Sequence, residues 1–106
     1  MPVIKTSDLA TGNLEGAEHG ATISLILDRP DPGQGPRLHK HSYDETWVVI
    51  DGNLEFQAGD QQLEAGPGDI VIVPADTPHK FTNRGTEQAN LVCIHANPTI
   101  ETEWLE

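Results

Sequence analysis

His39-Lys40-His41-Ser42-Tyr43-Asp44-Glu45-Thr46-Trp47-Val48-Val49-Ile50-Asp51-Gly52 is the stretch on which the reading of this chain turns. Residues i and i+2 of an extended strand point to the same face, so the imidazoles of His39 and His41 can meet at one point. Ser42-Tyr43-Asp44 make a short turn, and Glu45 then returns on the start of the next strand. If Glu45 faces inward, Trp47 and Val49 face inward with it. Asp51-Gly52 is a hairpin signal. Beyond it Leu54, Phe56 and Ala58 share one face, and Glu55 and Gln57 share the other.

Working outward, short runs rich in Val, Ile, Leu and Thr alternate with Gly and Pro, the pattern of an all-β sandwich or barrel. Strands are expected over 21–27, 46–50, 53–58, 61–64, 70–73, 79–83 and 88–95. The run 70–73 is continuously apolar and reads as buried on both faces. Residues 30–36 hold three prolines and two glycines and read as a loop. An edge strand is expected around Val3-Ile4, and 100–106 reads as a strand or a short tail in which Trp104 is a packing anchor. There is no repeat and no second domain, so 1–106 is expected to fold as one unit.

Composition narrows the function. Seventeen Asp and Glu against six Lys and Arg give a formal net charge of −11, which repels nucleic acid and anionic membranes. No run is long enough to span a bilayer. The opening residues lack the basic-then-apolar run of a signal peptide, and the single cysteine, Cys93, allows no internal disulfide. A cytoplasmic location is the expectation from these features. Cys93 lies in an apolar run and reads as a small core residue rather than a reactive thiol.

A further histidine, His79, heads a later strand. Three imidazoles and a carboxylate suit divalent Fe, Mn, Zn, Ni or Cu. At this point the sequence resembles the cupins. Their first motif is filled at the expected spacing by Gly33, His39, His41, Glu45 and Gly52, over 33–52. Their second is filled by Gly68, Pro74, His79 and Asn83, over 68–83. Asp76 stands where the family has glycine, in a turn, where Asp tolerates left-handed backbone better than most residues. The resemblance implies a double-stranded β-helix, or jelly-roll, barrel and one divalent metal ion held by His39, His41, Glu45 and His79. It also implies a homodimer.

The same alternation outlines a pocket. Trp47 and Phe81 share the inward parity of Glu45 and His79, and Arg37 that of His39. Asn83 shares the parity of His79 and either hydrogen-bonds beside the ion or caps a strand-end turn. His95, near a strand end, reads as a pocket-wall residue rather than a fifth ligand. Tyr43 sits on the turn between ligands and can bring its hydroxyl to the mouth. Positive groups facing inward are scarce, which favours a neutral or weakly acidic small organic molecule whose oxygen binds the ion over a phosphosugar. In the family such sites support dioxygenation, isomerisation and lyase chemistry, with Glu45 a ligand or a base and Tyr43 a second candidate catalytic group. The alternative is a binding or sensing module without catalysis.

Overall fold

The computed structural model describes residues 1–106, and ten strands carry the fold. They are β1 (Asn13–Leu14), β2 (Ser24–Asp28), β3 (His39–Lys40), β4 (Glu45–Asp51), β5 (Leu54–Ala58), β6 (Gln61–Ala65), β7 (Ile70–Val73), β8 (His79–Asn83), β9 (Asn90–His95) and β10 (Glu103–Trp104). The only helical turns are short 3-10 segments at Thr6–Asp8 and Gly16–His19. No helix is long and apolar enough to cross a membrane.

Two antiparallel five-stranded sheets face each other, one ordered β1-β2-β9-β4-β7 and the other β10-β3-β8-β5-β6. The all-β double-stranded β-helix expected from the sequence is the fold observed. Alternation sorts the side chains: Trp47, Val49, Leu54, Phe56, Phe81, Leu91 and Cys93 point between the sheets and make the core. Trp47 stacks on Phe56 with ring centroids 4.6 Å apart, and Phe81 meets both rings. This aromatic cluster fills the barrel below Glu45 and gives the polar end a rigid floor.

Two backbone details close that end and the loop beside it. Gly35 crosses β8 so closely that a Cβ would lie 1.8 Å from the Phe81 carbonyl oxygen, which only glycine allows. Asp76 adopts φ 61°, the left-handed conformation its family position calls for, and its N–H donates to the His41 carbonyl at 2.7 Å.

Two expectations, for β7 and for Val3-Ile4, are corrected, and the C-terminal stretch resolves to the strand reading. β7 is not buried on both faces: it is an edge strand, and Ile70 and Ile72 are 63% and 68% exposed. Only β4 flanks it, so a continuous apolar run here marks a bare outer surface. Val3-Ile4 forms no strand, and the first paired residues are Asn13–Leu14. The C-terminal stretch contains β10, a two-residue strand pairing with β3, and it sets Trp104 against the His39 ring with centroids 5.0 Å apart.

Candidate metal centre

Two strand pairings and a turn bring the site together. β3 and β8 place His39 opposite His79, and β4 and β9 place Glu45 opposite His95. The turn at 42–44 returns the chain from His41 to Glu45. As a result, ligand atoms of His39, His41, Glu45 and His79 all lie within 4.8 Å of one another, and all four residues are buried.

The hydrogen bonds fix which ring nitrogen faces inward. Nδ1 of His39 lies 2.6 Å from the Arg37 carbonyl, Nδ1 of His41 2.8 Å from that of Glu101, and Nδ1 of His79 2.7 Å from that of Thr77. A carbonyl can only accept, so Nδ1 carries the proton in each ring and Nε2 of the neutral ring presents a lone pair. Nε2 of His41 and Nε2 of His79 each lie 3.1 Å from Oε1 of Glu45. Two lone pairs aimed at a carboxylate oxygen repel one another unless a proton or a cation lies between them. Neighbouring donors on a six-coordinate ion with bonds of about 2.1 Å stand about 3 Å apart, which fits that spacing. Nε2 of His41 is also buried with no hydrogen-bond partner, as a nitrogen reserved for a metal would be. By donor type and spacing, the residues fit a divalent metal ion.

Burial alone would push the Glu45 carboxyl up, but protons on the facing imidazoles of His41, His79 and His95, whose place a cation would take, outweigh it and hold the group well below the usual carboxylate range. Glu45 is therefore an anion at neutral pH, the form that binds metal. Its Oε2 accepts a 2.7 Å hydrogen bond from the Trp47 indole N–H, so the carboxylate is pinned to the core floor. Burial, reinforced by the other imidazoles, lowers His39 and favours the neutral, ligating ring. Burial pulls His41 the same way, but Glu45 and the Glu101 carbonyl raise it overall.

His39, His41 and Glu45 open onto a cavity of about 250 Å³, with His79 buried behind them. Phe81, Cys93, His95, Ile26, Asp28 and Trp104 share its wall, and no Lys or Arg lines it. Phe81 and His95 thus stand where the sequence placed them. Trp47 lies beneath Glu45 and touches the site through its indole N–H. Arg37 does not reach the cavity: its guanidinium lies over the outer Trp104 ring, 4.8 Å from the centroid. Asn83 points inward at the far end of β8, where its amide donates to the carbonyls of Pro30 and Glu87 and accepts from Gly85 N–H. Of its two sequence readings, the turn-holding one matches these bonds.

Sequence reasoning missed Asp28, Ile26 and Trp104 as wall residues. The alternation of β2 was a usable signal for Ile26 and Asp28, whereas nothing local announces that β10 folds back over β3. Burial raises the Asp28 carboxyl and raises the Cys93 thiol well above its ordinary value, so Cys93 is an inert wall residue.

Comparison with known proteins agrees with this geometry. The family described as Cupin domain (Cupin_2) matches residues 27–95. A polyketide synthase, CurC, of Streptomyces cyaneus is 32% identical over 81 residues, covering 74% of this chain and 52% of that protein. An uncharacterized protein of Methanocaldococcus jannaschii is 30% identical over 77 residues, covering 70% and 62%. The chain therefore matches between half and two thirds of the length of these relatives. Among solved structures, a conserved double-stranded β-helix protein of Klebsiella pneumoniae superposes with TM-score 0.73 at 26% identity, over 80% of this chain and 76% of that one. A Bacillus subtilis oxalate decarboxylase with Mn(II) centres superposes with TM-score 0.82 at 21% identity, over 88% and 27%, a likeness of fold.

Proposed function

Because the chain belongs to the cupin domain family, we propose that it holds one divalent metal ion through His39, His41, Glu45 and His79 and acts on a small oxygen-bearing organic molecule bound beside it. The observation that carries this reading is the pair of imidazole Nε2 atoms 3.1 Å from one buried carboxylate oxygen. The ion, when bound, supplies Lewis-acid polarisation of a substrate oxygen, or a site for oxygen chemistry if it is iron, which makes dioxygenase and isomerase or lyase reactions the candidate classes.

The chain's own residues do the rest. Trp47 fixes the orientation of Glu45, and the carbonyls of Arg37, Glu101 and Thr77 fix the rings. Phe81, Ile26 and Trp104 keep the cavity apolar. Its volume, just under the range of about 300–1,000 Å³ usual for ligand pockets, sets the scale of the substrate as small. Without Lys or Arg on its wall and with Asp28 and Glu45 there, it disfavours phosphorylated substrates. The likeness to a polyketide synthase supports enols and phenols as the first compounds to try.

A second copy of the chain is the partner in this reading. Leu25, Ile94, Thr46 and Ile72 form one cross-strand row on the outer face of the β2-β9-β4-β7 layer, and Leu27, Val92, Val48 and Ile70 form the next. Two copies of a chain with net charge −11 repel, and these rows offer a contact with no charged side chain.

The test is oxygen uptake and ultraviolet turnover with a panel of enols and phenols on protein loaded in turn with Fe, Mn, Zn and Ni, beside thermal shift with phosphosugars. Turnover with one metal and no response to phosphosugars is expected. Ligand-induced stabilisation without turnover under any metal would favour the binding-module alternative, and tight phosphosugar binding would overturn the substrate class.

A further inference from the structure

Only two buried side-chain nitrogen or oxygen atoms lack a hydrogen-bond partner: Nε2 of His41 and Nε2 of His95. The first belongs to the metal quartet. The second sits on β9 opposite Glu45, is 1% exposed and lines the same cavity. A buried unpartnered nitrogen is costly, and a chain that keeps one uses it for something not made of protein.

The other side of the His95 ring shows which state it is in. Nδ1 lies 2.7 Å from the Tyr43 hydroxyl oxygen. That hydroxyl donates to the Glu101 carbonyl at 3.3 Å and accepts from Glu101 N–H at 3.2 Å. With the hydroxyl proton on Glu101, the second lone pair of the Tyr43 oxygen receives Nδ1–H of His95, and every group in the cluster has a partner. The opposite arrangement, with Tyr43 donating to Nδ1, moves the ring proton to Nε2, where the facing acceptor, Oε2 of Glu45, lies 3.4 Å away and already takes the Trp47 N–H. The first arrangement gives His95 the tautomer of His39, His41 and His79, with Nδ1 protonated and Nε2 presenting a lone pair.

Nε2 of His95 stands 3.4 Å from Oε2 of Glu45, as Nε2 of His41 and of His79 stand 3.1 Å from Oε1. Three imidazole lone pairs are thus arrayed around one carboxylate, and the His41 and His95 rings are edge to face with centroids 4.6 Å apart. His95 stands at the rim of the quartet, on the side of the second carboxylate oxygen.

We propose that His95 is a fifth protein ligand of the metal ion, positioned by Tyr43, beside a single oxygen of Glu45, whose other oxygen stays on the Trp47 N–H. The inference rests on the metal reading of the quartet and goes beyond it. It limits the substrate: five protein residues leave little room on the ion, so the small molecule binds through a single oxygen rather than as a chelate. Asp28 and Cys93, on the same wall, are the neighbours such a molecule meets.

The experiment is a crystal structure of the wild-type protein loaded with Ni²⁺, with calorimetric Ni²⁺ titrations of wild type, His95→Ala and Tyr43→Phe. The expected result is Nε2 of His95 at bonding distance from the ion, and at least a tenfold loss of Ni²⁺ affinity in His95→Ala. Tyr43→Phe is expected to weaken binding while the nickel-loaded crystal of that variant keeps His95 on the ion. An ion held by His39, His41, Glu45 and His79 with His95 turned away overturns the inference and leaves the quartet standing. Absence of any bound Ni²⁺ overturns both. The wild-type structure decides the matter even if a variant fails to fold.

Discussion

Tyr43 shows how much one residue carries at this site. Its hydroxyl is the junction between His95, Glu101 and, at 3.3 Å, His41. The ring stacks on His41 with centroids 5.0 Å apart, and burial raises the phenol above its ordinary value, so it stays a neutral hydroxyl. Tyr43→Phe keeps the stacking and removes the junction. It leaves His95 Nδ1 and Glu101 N–H without their partner, which is expected to destabilise the protein by about 1–3 kcal/mol in urea unfolding. No change would mean that solvent replaces the hydroxyl and that the cluster is looser than these distances imply. The quartet was readable at this scale, because spacing brings His39, His41 and Glu45 together and the resemblance to the cupin motifs adds His79. The partner of His95 was not readable, because Tyr43 and His95 meet only once β4 and β9 are paired.

Among the elements, β8 and the loop before β3 decide whether the barrel closes. Asn83 ends β8, and its amide ties two loops through Pro30 on one side and Gly85 and Glu87 on the other, at 2.8–3.0 Å. Asn83→Ala removes those bonds from a residue 1% exposed, and a loss of about 1–3 kcal/mol is expected in urea unfolding. Metal affinity is expected to stay within about twofold, because Asn83 is at the opposite end of β8 from His79; calorimetry with the metal alone checks it. A large loss of affinity with normal stability would return Asn83 to the site.

The strands from Ser24–Asp28 to Asn90–His95 were legible from alternation and turn residues. β7 was misread because an unbroken aliphatic run looks the same whether it is covered by protein on both sides or left bare at an edge. β3 and β10 are two residues long, too short to carry a period, and β10 pairs with β3 alone.

The whole molecule sets two different surfaces against each other: an acidic exterior and an uncharged aliphatic face on one sheet. Edge strands with exposed aliphatics invite association, and the rows through Ile70 and Ile72 are where the proposed second copy docks. Ile70→Lys with Ile72→Lys is expected to give a monomer by light scattering with the metal site intact, since both side chains point away from the cavity. A wild-type protein that is already monomeric would remove the dimer from the account.

At the same scale, the barrel acts as a frame that brings residues from three strands and a turn to one buried point above an aromatic floor. The most direct measurement of that claim is elemental analysis of the wild-type protein, purified without a histidine tag, beside the His39→Ala/His41→Ala double variant. One equivalent of a divalent metal per chain in the wild type and essentially none in the folded variant is the expected result. Equal metal content in both, or none in either after incubation with Fe, Mn, Zn, Ni and Cu, would contradict it.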